Sequence, residues 1–168
     1  HRDVSPQNIL VGVDGCTRLT DFGVARATAR LTSTGVDRLK GKLAYMSPEQ
    51  ALGKAFTPKA DLFAASACLW RCLTGKTLFT GKHPGELTQK VLQEKIPPPS
   101  TVVSSVPNKY DALVLKGLER DPEQRWTTAE AMAEALDSSG RVASAGVVGR
   151  LVKQVAQRRL RWANWATM

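Results

Sequence analysis

The order of apolar and polar residues divides the chain into a short extended segment followed by a series of helices. Ile9-Leu10-Val11 and Thr17-Arg18-Leu19 flank Val13-Asp14-Gly15, and Asp-Gly between two short runs predicts a β-hairpin. Residues 24–42 are polar and lack sustained periodicity, which predicts a mobile loop. Residues 62–73 are apolar nearly all round, the pattern of a buried helix, with Asp61 as its N-cap and Gly75 as its stop. Helical period returns at 84–94, closed by Pro97-Pro98-Pro99. It recurs at 108–118, where Tyr110, Leu113, Val114 and Leu118 share a face. Thr127-Thr128-Ala129-Glu130 reads as a capping box opening a helix to about Leu136, with Trp126 as a staple into the core. From Ala145 the period is again helical. Val148, Leu151, Val152, Val155 and Ala163 form one face; Arg150, Lys153, Gln157 and Arg161 form the other, and Arg159 interrupts the apolar side.

Composition narrows the class. A chain of 168 residues with 42% hydrophobic and 23% charged residues is ordinary for one globular domain, which argues against disorder. No apolar run reaches the roughly 18 residues of a membrane span, and no start resembles a signal peptide. Cys16, Cys68 and Cys72 lack paired C-x-x-C spacing, so reduced thiols in the cytoplasm are expected. Six of the net nine positive charges fall in 141–168, a stretch without a single acid. That basic helix is either a solvated face packed on the domain, or a surface for nucleic acid or an anionic membrane with Trp162 and Trp165 as anchors.

The chemistry concentrates at the amino end. Asp3 is a carboxylate able to accept a proton from an attacking hydroxyl. Asn8 and Asp21 are hard oxygen donors of the kind Mg²⁺ takes when it also holds phosphates. The hairpin between them would return Asp21 to the side of Asn8; the alternative is an ordinary hairpin with solvated acids. His1-Arg2-Asp3-x-x-Pro6-x-Asn8, followed by Asp21-Phe22-Gly23, resembles the catalytic and metal-binding segments of the protein kinase family. Gly41-Lys42-Leu43-Ala44-Tyr45-Met46-Ser47-Pro48-Glu49 is similar to the family's substrate-wall segment, and Asp121-Pro122-Glu123-Gln124-Arg125 to a later turn.

The resemblance implies a mostly α (α+β) fold: a kinase-like C-terminal lobe whose short β-hairpin carries the catalytic and metal-binding loops. It further implies that the N-terminal lobe, with its glycine-rich loop, strand lysine and helix glutamate, is absent from this sequence. Residues 1–138 would be the partial kinase domain and 139–168 the basic amphipathic tail. The implied partners are ATP, Mg²⁺, a protein substrate and the missing lobe. Asp3 is the expected catalytic residue, with Asn8 and Asp21 holding the metal and nucleotide. His1, Arg2, Phe22 and Gly23 are expected in structural roles. Asp61 is expected to receive backbone N–H groups from the first turn, and Arg125 to pair with Glu49. Thr32, Ser33 and Thr34 are candidate phosphorylation sites, whose phosphate would pair with Arg2. Pro6 points away from tyrosine kinases.

One departure from the family pattern stands out. A lysine is usual two residues after the catalytic aspartate; Ser5 is there instead, while Lys42 replaces the wall threonine. Lys42 is therefore expected to reach in beside Asp3, with Ser5 taking over the orienting hydroxyl. The competing expectation is decay to an inactive kinase-like protein. The function implied is a serine/threonine protein kinase of a bacterial branch, a transferase inactive as an isolated half-domain. The alternative is a truncated pseudokinase or scaffold acting through its basic tail.

Overall fold

In a computed structural model, residues 1–22, 41–140 and 142–165 are described, with 159–165 known by backbone only. A 3-10 turn at Pro6–Asn8 leads into strands β1 (Ile9–Val11) and β2 (Thr17–Leu19). Helices α1 (Pro48–Ala51), α2 (Lys59–Thr74), α3 (Pro84–Gln93), α4 (Pro99–Val102) and α5 (Lys109–Gly117) follow. A second 3-10 turn at Pro122–Gln124 precedes α6 (Ala129–Ser139) and α7 (Ala145–Trp165). The strands pair antiparallel in the register Ile9↔Leu19, Leu10↔Arg18, Val11↔Thr17. Their turn is set by Gly15 at φ 80° and by the Asp14 carboxylate, which accepts the Cys16 N–H at 3.0 Å.

Helix α2 is the axis of the core. Ala60, Leu62, Phe63, Ala64, Ala67, Cys68 and Trp70 are buried on several of its faces, as an apolar sequence without a polar stripe requires. Its buried hydroxyls are satisfied locally: Ser66 donates to Leu62 C=O at 2.8 Å and Thr74 to Trp70 C=O at 2.9 Å. Burial pushes the Cys68 thiol up to about 12, so this cysteine is part of the core and not a reactive group. Gly75, left-handed at φ 70°, ends the helix.

Helix α5 crosses α2 at Gly117, where a Cβ would lie 1.8 Å from Ser66 Oγ. The two backbones can approach this closely only because position 117 has no side chain. Helix α6 starts one residue later than the sequence indicated. Its N-cap is Thr128, whose hydroxyl accepts from Ala131 N–H at 3.1 Å; Glu130 sits in the first turn and closes no reciprocal box. Trp126 is half-buried rather than a core staple. Its indole donates to Leu113 C=O at 3.2 Å, and the Lys116 ammonium lies 4.1 Å from its ring centre.

Helix α7 meets the body along one edge of the face its periodicity suggests. Gly149 is buried, Val148 and Val152 are half-buried, and Leu151 and Val155 are exposed. A Cβ at Gly149 would sit 2.5 Å from Val13 C=O, and one at Gly15 would sit 1.9 Å from Ala145 C=O. The first turns of α7 and the hairpin tip thus meet backbone to backbone. Apolar periodicity does not register such a contact, because the residue that permits it contributes no hydrophobic side chain. Gly149→Leu should lift α7 from the hairpin at about 1–3 kcal/mol. Hydrogen exchange should then show amide protection lost over 145–152 and retained in α2; unchanged protection at 145–152 would contradict this packing. Among the described residues, no helix is long and apolar enough to cross a membrane.

Candidate active site

The turn carrying Asp3 is anchored to the first turn of α2. The main-chain nitrogen of His1 donates to Asp61 Oδ2 at 2.6 Å, and that of Arg2 to Asp61 Oδ1 at 2.8 Å. Asp61 is the third residue of α2 and not its cap; the N-cap position is Pro58, which offers no side-chain acceptor. Both carboxylate oxygens of Asp61 are therefore spent on the turn. Arg2 takes a left-handed backbone at φ 72°, as does Asp21 at φ 59°. Each such residue costs about 1–3 kcal/mol and persists only where its surroundings over-determine it. At Arg2 they do, since its C=O also accepts from Gln50 Nε2 at 3.1 Å.

His1 fastens this turn to the end of β2. Its Nδ1 accepts from Asp3 N–H at 3.3 Å, which leaves Nε2 to carry the proton and donate to Thr20 C=O at 2.9 Å. The Phe22 ring lies 4.8 Å from the imidazole and is otherwise largely exposed. Asn8 completes the link. Its Nδ2 donates to Asp3 C=O at 2.8 Å, while its own C=O accepts from Thr20 N–H at 2.9 Å. The hairpin thus brings the residue preceding Asp21 onto Asn8, and Asn8 onto Asp3.

With Nδ2 committed, Asn8 Oδ1 has no partner among the described residues. Asn8 as a residue is 7% exposed. The Asp21 carboxylate is exposed. One amide oxygen and one carboxylate fit Mg²⁺, which keeps several water or phosphate ligands and needs few from protein. No cluster of three His, Cys, Asp or Glu residues occurs among the described residues, so a fully protein-ligated metal is not offered there.

Lys42 lies at Asp3: its Nζ is 2.6 Å from Oδ2, across 39 positions of sequence. Ser5 is buried, and its hydroxyl bonds to neither of them. Behind Lys42 the wall is held by features that the motif comparison passed over. Ser47, fully buried, caps α1 in a reciprocal box with Gln50. Ser47-x-x-Gln50 is itself a readable capping signature. Gln50 then reaches back to Arg2. Arg71 Nη1 donates to the Tyr45 hydroxyl at 3.1 Å, and burial raises that phenol's pKa. At the other side of α1, Arg125 forms a two-pronged bridge to Glu49, with Nη1–Oε1 at 2.7 Å and Nη2–Oε2 at 2.8 Å. The Arg2 guanidinium has no partner among the described residues. Gly23, Thr32, Ser33 and Thr34 lie outside the described residues.

Comparison with known proteins agrees with this geometry. The model of the protein kinase domain matches residues 1–136. A serine/threonine-protein kinase of Mycobacterium tuberculosis, PknL, is 39% identical over 140 residues, which are 82% of this chain and 35% of PknL. PrkC of Bacillus subtilis, likewise named a serine/threonine-protein kinase, is 38% identical over 132 residues, covering 79% of this chain and 20% of its own. A protein named tyrosine-protein kinase MasK, from Myxococcus xanthus, is 38% identical over 138 residues, 82% of this chain and 21% of its own length. The chain belongs to the protein kinase family. It spans between about a fifth and a third of the length of these relatives.

Proposed function

We propose that this chain supplies the catalytic turn, metal ligands and substrate wall of a kinase that transfers the γ-phosphoryl of ATP to serine or threonine hydroxyls of proteins. The observation that carries the reading is the double engagement of Asn8, side chain to Asp3 and main chain to Thr20. It sets the proton acceptor and the two metal-type oxygens on one scaffold. Asp3 orients the acceptor hydroxyl and takes its proton. Asn8 Oδ1 and Asp21 would hold Mg²⁺, which would supply positive charge to the transferring phosphate. Leu10, exposed by 54%, lies on β1 beside these groups and offers an apolar floor for the base of the nucleotide. The acceptor class rests on Pro6 and on the names of PknL and PrkC. The compartment we propose is the cytoplasm, where ATP is available.

The test is a complete kinase domain containing this chain, incubated with MgATP and a protein substrate, followed by phosphoamino-acid analysis. Phosphoserine or phosphothreonine is expected, whereas the chain alone should turn over negligibly. Phosphotyrosine alone would overturn the acceptor assignment, and no transfer at all would overturn the enzyme reading.

A second reading has its own observation. Val147, Leu151 and Val155 are exposed at four-residue spacing on α7, beside exposed Arg150, Lys153 and Arg158. A non-catalytic module would use this stripe on an anionic partner. Sedimentation with anionic but not neutral vesicles, in a protein without phosphoryl transfer, would favour it.

A further inference from the structure

We propose that Lys42 supplies, from the substrate wall, the ammonium that neutralises the transferring phosphoryl group beside Asp3. This rests on the kinase reading above and assigns a further catalytic residue to the same site. The turn bearing Asp3 brings no such cation of its own, because position 5 holds a buried serine whose hydroxyl engages neither Asp3 nor Lys42. Arg2, the other cation bordering the cavity, makes no bond to Asp3. Lys42 does, at 2.6 Å.

The pair differs from an ordinary surface bridge in three respects. An ammonium has three N–H donors; among the described residues the Lys42 side chain bonds to Asp3 alone, so none of them takes the other two. The side chains are 31% and 18% exposed and border a cavity shared with Tyr45, Met46 and Gln50, where water screens less than at an open surface. The backbone of Lys42 is also held in place. Its C=O accepts from Tyr45 N–H at 3.0 Å, Tyr45 is buried, and the Ser47–Gln50 box ties the wall through Gln50 to Arg2, next to Asp3. The cation and the carboxylate thus sit on two segments cross-linked to each other.

In the transfer, the acceptor oxygen bonds to the γ-phosphorus as the bond from that phosphorus to the β-bridging oxygen breaks. ADP leaves with the electron pair, and the hydroxyl proton passes to Asp3. An ammonium on Asp3 Oδ2 stands where the incoming oxygen and the phosphoryl oxygens converge. It offsets the Asp3 charge and donates to the phosphoryl as negative charge spreads over it.

The experiment compares wild type, Lys42→Thr, Lys42→Arg and Lys42→Thr with Ser5→Lys in a complete kinase domain containing this chain. It reads kcat, KM for protein substrate, and affinity for MgADP with and without aluminium fluoride. Lys42→Thr should lower kcat about 100- to 1,000-fold, the range for loss of one positioned donor, with KM little changed. It should also lose the tighter binding that aluminium fluoride confers on MgADP. Lys42→Arg should keep part of both, and Ser5→Lys should restore part of both by returning an ammonium from the turn. Should Ser5→Lys fail to fold at its buried site, Lys42→Arg still decides. An unchanged kcat in Lys42→Thr would sink the role of Lys42 and leave the kinase reading intact. So would a loss confined to KM, with the aluminium fluoride preference kept. A wild-type domain that transfers no phosphoryl group would sink both.

Discussion

Replacing Arg125 by alanine should lower the stability of the fold by about 3 kcal/mol, because a partly buried Glu49 and the carbonyls bonded to the arginine would be left unpaired. The guanidinium uses all five of its donors. Two go to Glu49, and the others reach Glu119 C=O at 2.7 Å, Lys59 C=O at 3.0 Å and Arg120 C=O at 3.0 Å. Its side chain is fully buried, that of Glu49 is 11% exposed, and the Phe63 ring lies 5.1 Å beneath. One side chain therefore joins α1, the start of α2 and the turn at Pro122–Gln124. For a chain of this size the expected fall in Tm is roughly 10 °C. A melting curve within a degree of wild type would show that the bridge is dispensable. Changing both partners, Arg125→Met with Glu49→Leu, should recover much of the loss, since the stranded charge goes with the arginine.

The same bridge predicts a pH dependence. Burial alone would raise the Glu49 pKa, but the hydrogen bonds and charge of Arg125 outweigh it and hold the carboxyl below its ordinary value. A carboxyl depressed on folding contributes stability that is fully present above its unfolded pKa and lost as pH falls through the folded one. Acid should therefore destabilise wild type more steeply than the double variant below the ordinary carboxylate range. Equal slopes would detach Glu49 from the effect.

How far the sequence disclosed this protein depended on what kind of feature carried each part. The hairpin was legible because Asp-Gly forces a tight turn, and α2 because an apolar stretch without a polar face has no place outside a core. Lys42 beside Asp3 was legible only as a departure from a pattern, since a contact over 39 positions leaves no periodic trace. Gly117 and Gly149 were not legible at all, because their contribution is a missing side chain and the chain has 13 glycines. The apolar period of α7 places Val148 and Val152 correctly on the packed side but includes the exposed Leu151 and Val155, because contact with the hairpin backbone at Gly149 shifts the packed edge. For Asp61 the sequence indicates two roles, helix cap and acceptor of the first turn's N–H groups, and only the second is found. The helix in fact starts at Lys59, leaving the carboxylate free to receive the N–H groups of residues 1 and 2. Capping residues one or two positions apart are chemically equivalent in sequence; only the course of the chain before the helix selects one.

Asp3→Asn and Asp21→Asn should separate proton transfer from metal binding, although Asn8 joins the two positions. Asn at position 3 is isosteric and can still accept from Lys42, though without the charge of the present 2.6 Å pair, and the other bonds that place this residue run through its backbone: its N–H to His1 Nδ1 and its C=O from Asn8 Nδ2. The turn should survive the change while the proton acceptor is lost. In a complete domain, kcat should then fall about 10²- to 10⁴-fold with affinity for MgATP nearly unchanged. Asp21→Asn instead removes the charge of the proposed metal ligand, a side chain with no partner among the described residues. Its main effect should be weaker, Mg²⁺-dependent nucleotide binding that is partly restored by added Mg²⁺. Asn8→Ala should show both defects, because its amide anchors Asp3 and, on the proposed reading, also supplies a metal ligand. If Asp3→Asn retained wild-type turnover, or if Asp21→Asn left the Mg²⁺ requirement unaltered, the division of labour drawn from this scaffold would be wrong. The Asn8 result tells which half failed: an Asn8→Ala variant defective only in binding would leave Asp3 without its anchor and without a catalytic effect.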